Sequence, residues 1–195
     1  ENFPVTQQEF EIPADAILVS TTDLQGRITH CNRAFQLASG YAYDELIEQP
    51  HNIVRHPDMP TDAYADMWAT IGRGRPWSGI VKNRRKNGDH YWVSANVTPI
   101  MDGGKPTAYL SVRHRPTREQ INAAEALYQR ICAERDSGHH TFKLHAGNVR
   151  LLGWRDWLGK LHRLDVTQRL GLGLLGVAVG SILLHCFGLS HGVAL

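Results

Sequence analysis

From Trp77 onward apolar and polar residues alternate with a period of two, and only extended strands turn such a pattern into one buried face. Residues 77–85 and 90–101 read as strands joined at Asn87-Gly88, a hairpin signal because both residues tolerate positive φ. Asp102-Gly103-Gly104 marks a second turn, and residues 108–114 read as the last strand. Three consecutive strands joined by tight turns form an antiparallel meander.

Upstream, Ile17-Leu18-Val19-Ser20-Thr21 and Arg27-Ile28-Thr29-His30-Cys31 read as two strands around a turn at Asp23-Leu24-Gln25-Gly26. Asn32 reads as the N-cap of a short helix over 34–38 that stops at Gly40. Pro50, Pro57 and Pro60 break the next stretch into short helical pieces. Thr61 then opens a helix with Tyr64, Met67, Trp68 and Ile71 on one face, closed by Gly72 and Gly74. Two strands, a helical insert and three strands is an order that resembles a PAS domain. The expectation is an α+β fold, a five-stranded antiparallel sheet with helices on one face. It comprises an N-terminal cap at 1–15 and a PAS sensor domain at 16–116. Thr117 with Gln120 forms a capping box for a helix carrying Ile121, Ala124, Tyr128 and Ile131, which runs to about Asp136 before Ser137-Gly138. This linker helix and its connector occupy 117–149, and either carry a signal outward or cover a sheet edge.

A net charge of +2 over 195 residues gives no electrostatic reason to expect nucleic acid as a partner. Cys31, Cys132 and Cys186 are scattered without metal spacing, which fits a reducing compartment. The chain begins without methionine, shows no signal peptide and reads as a trimmed fragment. Residues 150–169 place Trp154, Trp157, Leu158 and Leu161 among an excess of basic residues, as in a segment lying at a membrane interface. Residues 170–189 are apolar over the length of a transmembrane helix, or else of a buried core helix in a larger globular protein, with Gly176 and Gly180 spaced for a helix–helix contact. The basic flank puts the N-terminal domain on the cytoplasmic side of a membrane, with membrane lipid as a partner.

Two stretches carry candidate chemistry. Between Pro50 and Pro60, His51, Arg55, His56 and Asp58 sit on a stiffened loop suited to a polyanionic ligand, or equally to a local surface ion pair. Along the first meander strand, alternation sets Trp77, Gly79, Val81 and Asn83 on one face. Asn96 shares a face with Trp92 and Ser94 on the next. An amide among apolar neighbours needs a partner, which could be a flavin's mixed donor–acceptor edge or the protein core itself. Gly79 would leave room for a flat ring, and a tryptophan could stack on it. The run Lys82, Arg84, Arg85, Lys86 reads as a solvated hairpin.

Ser20-Thr21-Thr22-Asp23, Gly40-Tyr41, PHNIVRHPDMP, Ala65-Asp66-Met67-Trp68, PWSGIVKNRRKNGDHYWV, Gly153-Trp154 and Leu158-Gly159-Lys160-Leu161 together resemble the aerotaxis receptor family. The stretch from Trp77 to Arg85 is also similar to the flavin PAS domain of a nitrogen-fixation regulator. The resemblance implies non-covalently bound FAD and a redox- or oxygen-responsive sensor in chemotaxis. It puts Asn32, His51, Arg55, His56, Asp58, Trp68, Trp77, Asn83 and Asn96 in or around the FAD pocket. It further implies a homodimer, and HAMP and signalling domains, absent from this sequence, that engage a chemotaxis kinase complex. Three rivals stand beside it. A photoadduct would need a cysteine in the helical insert, which has none. A haem-binding gas sensor would use His51 or His56. An enzyme would need a nucleophile paired with a base, and no motif of that kind is present.

Overall fold

The computed structural model describes residues 4–138 and 141–151. In chain order it holds β1 (Leu18–Thr22), β2 (Ile28–Cys31), α1 (Arg33–Ser39), α2 (Tyr43–Leu46), a 3₁₀ turn (His51–Val54) and α3 (Thr61–Ile71). The meander comes next as β3 (Trp77–Arg84), β4 (His90–Asp102) and β5 (Lys105–His114), then α4 (Arg118–Ser137) and a hairpin, β6 (Phe142–His145) and β7 (Asn148–Leu151). The main sheet is antiparallel with order β2-β1-β5-β4-β3, so the last meander strand lies at its centre beside β1.

Local chemistry fixes the ends of these elements. Asn32 caps α1 through Oδ1, which accepts from the Phe35 amide at 3.0 Å and from the Val19 amide at 3.1 Å. Its amide nitrogen donates to the Ile17 carbonyl at 2.8 Å, so one side chain ties the helix start to β1. The Thr117–Gln120 capping box opens α4, and Gly138, in the left-handed region, closes it. Phe35, Leu18, Ile28, Leu46 and Tyr91 are fully buried between the sheet and the first helices. Each such side chain contributes about 1.5–3 kcal/mol by leaving water.

The helical insert and the linker helix take opposite faces of the sheet. The 3₁₀ turn and α3 cover the face that carries Val81 and Asn83. Helix α4 covers the opposite face, beside Lys82 and Trp92, because its Ile121–Ala124–Tyr128–Ile131 stripe must itself be buried. The Tyr128 hydroxyl donates to the Ile80 carbonyl there. The β6–β7 hairpin is an element that the sequence pattern does not announce. Its turn puts Ala146 and Gly147 at φ of 52° and 80°, the geometry of a tight primed turn.

Beyond residues 150 and 151, the basic segment over 150–169 lies outside the described residues, as does the apolar run over 170–189. Among the described residues no helix is long and apolar enough to cross a membrane.

Candidate functional site

A cavity of about 340 Å³ lies between the sheet and α3, within the range usual for small-molecule and cofactor sites. Its floor is built from strand residues two apart, which the pleat points the same way: Val81 and Asn83 on β3, and Tyr109, Ser111 and Arg113 on β5. Tyr64, Met67, Trp68 and Ile71 form its roof, one stripe of α3. The 3₁₀ turn closes one end with His51, Val54 and Arg55. That turn is held in place by backbone: the His51 amide donates to the Gly26 carbonyl at 2.8 Å, and Arg55 bridges to Asn83.

Two contacts shape the mouth. Trp68, 39% exposed, meets Tyr109 edge to face at 5.7 Å. Gly26 has φ +79°, and a Cβ there would come within 2.9 Å of the Trp68 ring, so glycine is required twice over.

The electrostatics centre on Arg113. It is 5% exposed, and among the described residues it has no carboxylate partner. Its guanidinium donates to Ser20 Oγ at 3.1 Å and to His51 Nε2 at 2.8 Å, and lies over the Phe35 ring at 5.2 Å. Burial lowers its pKa to about 10, and it stays charged at neutral pH. Burial, and then the Arg113 charge, push His51 down to about 3, so His51 is a neutral acceptor. At the other end Arg55 stacks on Tyr64 at 4.3 Å. Ser111 Oγ is buried without a hydrogen-bond partner. An orphan hydroxyl and a buried cation facing one cavity suit a ligand that brings acceptors and negative charge.

Four of the nine residues expected at the site line this cavity: His51, Arg55, Trp68 and Asn83. The other five do not. Asn32 caps α1 and ties it to β1. His56 is buried beside His90, its Nδ1 accepting from the Asp58 amide at 3.2 Å and its Nε2 unpartnered. Burial, and then the Lys82 charge, lower its pKa to about 4. Asp58 pairs with Lys82 at 2.7 Å on the far side of β3. Asn96 is exposed and accepts from Ser78 Oγ at 2.7 Å. Trp77 folds its indole over Gly79, taking the room that glycine offers, and donates to Asp66 Oδ2 at 2.9 Å. Conversely, Tyr109, Ser111 and Arg113 do not stand out in the sequence, although the alternation of the last strand puts them on one face.

Residues 28–113 match a family model described as the PAS fold. With the five-stranded sheet and the cavity beneath α3, the chain is a PAS-domain protein. More particularly, it is a relative of the aerotaxis receptor: it is 53% identical to that protein of Escherichia coli (strain K12) over 165 residues, 85% of this chain. The chain spans 31% of that receptor's length. It is also 28% identical to the nitrogen fixation regulatory protein of Klebsiella pneumoniae over 117 residues, 60% of this chain and 23% of that protein. Among solved structures, the dark structure of the blue-light photoreceptor Aureochrome1 LOV superposes with a TM-score of 0.52 at 20% identity, covering 58% of this chain and 85% of that one. That likeness is one of fold.

Proposed function

We propose that this chain is the flavin-binding input region of an energy-taxis transducer, with FAD in the cavity above Arg113 and Asn83. The observation that carries the reading is the buried, carboxylate-free guanidinium of Arg113 set beside the orphan Ser111 hydroxyl. Asn83, Ser111 and Arg113 would meet the hydrogen-bonding edge of the ring, with Tyr64, Met67 and Trp68 covering its face. Arg55 and Asn52, at the 3₁₀ end, would hold the anionic part. Bound FAD would supply a redox couple responsive to oxygen or to electron transport. The protein excludes water, fixes the ring's edge and holds a positive charge near it. The similarity to the aerotaxis receptor supports the same assignment.

Two rivals fit less well. A haem would need a free imidazole in the cavity, whereas His51 Nε2 is taken by Arg113 and lies 3.3 Å from Ser20 Oγ, and His56 lies outside the lining. A cysteine photoadduct would need a thiol at the ligand, and none lines the cavity among the described residues. The apolar run over 170–189 would anchor the chain in the inner membrane with the PAS domain cytoplasmic. A homodimer passing the signal through HAMP and signalling domains to a chemotaxis kinase complex completes the proposal. Heat-denaturing the purified chain and identifying the released cofactor by mass tests it. FAD is expected, and haem or no released cofactor would refute it.

A further inference from the structure

Helix α3 has a second face that the cavity does not use. Asp66 lies there, between the cavity residues Tyr64 and Met67. Its carboxylate accepts three N–H bonds from two distant parts of the chain. The Trp77 indole donates to Oδ2 at 2.9 Å, the Gly147 amide to Oδ2 at 2.7 Å, and the Ala146 amide to Oδ1 at 2.9 Å. The last two belong to the turn of the β6–β7 hairpin, 80 and 81 residues away.

A non-glycine residue at positive φ is strained, and the Ala146 methyl has no polar atom to relieve it by a local hydrogen bond. Consecutive amides converging on one carboxylate supply the compensation, as in backbone anion sites. The fit is close, since a Cβ on Gly147 would run into the Ser78 carbonyl. The hairpin thus sits at β3, the edge strand of the sheet, where an uncovered row of backbone groups would otherwise face solvent.

We infer that Asp66 is a clasp that couples the cavity helix to the β6–β7 hairpin, so that a shift of α3 releases the hairpin as the domain's output element. The clasp rests on geometry alone, and only its trigger rests on the proposed flavin. One turn of α3 carries the cavity roof on one side and the clasp on the other, so a change in the occupant moves both. Release needs only three hydrogen bonds to lengthen together. The strain at Ala146 favours opening once they do.

Hydrogen–deuterium exchange on the full chain tests it, read at the Ala146 and Gly147 amides. Asp66→Ala is expected to raise their exchange by about tenfold or more, the loss of a charge-assisted bond in local opening. Asp66→Asn keeps shape and one acceptor oxygen and is expected to give a smaller rise, with cofactor absorbance unchanged in both variants. Dithionite reduction of the wild type is expected to raise hairpin exchange toward the Asp66→Ala level, and to add nothing in Asp66→Ala. Equal hairpin exchange in wild type and both variants would overturn the clasp. A clasp that loosens in the variants but not on reduction would overturn the trigger. A chain without flavin would sink the functional proposal, while the comparison of variants still decides the clasp.

Discussion

The Arg113 guanidinium donates to Nε2 of His51 at 2.8 Å, across a sequence separation of 62 residues. The bond requires an unprotonated Nε2, and burial, then the Arg113 charge, keeps His51 neutral to accept it.

Stability should therefore fall in mild acid. Burial holds His51 at about 3 and His56 at about 4, both below the ordinary 6.5. Between those values the unfolded chain binds protons that the folded chain refuses, so stability drops as pH falls from about 6.5 toward 4. At about pH 5 each histidine costs on the order of 1–2 kcal/mol. Urea denaturation at neutral pH and in mild acid checks this, and His51→Gln with His56→Gln should flatten the dependence. An equal midpoint at both pH values in the wild type would contradict it.

Arg113→Met removes a buried positive charge from the cavity. A cation beside the ring favours electron uptake, so the midpoint potential of bound flavin should fall. One tenfold change in a one-electron equilibrium corresponds to roughly 60 mV, and a shift of at least that size is expected. A spectroelectrochemical titration reads it, and an unchanged potential would put the flavin elsewhere.

Ser111→Ala separates a ligand contact from a structural one. The hydroxyl is buried without a hydrogen-bond partner in the protein, so its removal should leave the stability of flavin-free protein unchanged, or raise it by up to about 1 kcal/mol. Flavin affinity should drop several-fold. Loss of stability with unchanged affinity is the opposite result.

The tryptophans should divide by position. Trp68→Ala opens the mouth of the cavity and should weaken flavin binding about tenfold or more. Trp77→Phe should leave flavin content intact, because Trp77 lies outside the lining and donates to Asp66. Its cost is stability, about 1–2 kcal/mol for a hydrogen bond to a carboxylate. Flavin titrations and thermal melts on both variants read the difference.

These positions also show where the sequence is readable. The meander is legible from its period of two and from Asn87-Gly88, and the capping of α1 and α4 from Asn32 and the Thr117–Gln120 pair. Alternation groups residues by face but does not say which face encloses a ligand. Asn83 therefore looks inward while Asn96, equally plausible in sequence, meets solvent. Nor does it say how a long side chain lies along the sheet, and so the Trp77 ring occupies the space over Gly79. Arg113 is hidden because a charged residue near a strand end reads as exposed. Its burial depends on a central position for β5 that only the assembled sheet supplies. The β6–β7 hairpin is hidden because Ala146 carries no turn signal of its own and is held by Asp66 from a distant helix.

The absorbance spectrum of the purified chain, before and after dithionite, tests the claim of a flavin above Arg113 most directly. The wild type should show the two bands of an oxidised flavin, bleaching on reduction and returning in air. Asn83→Ala with Ser111→Ala should lose most of that absorbance while staying folded. A colourless wild-type chain, a haem spectrum, or full flavin absorbance in the double variant would contradict the account.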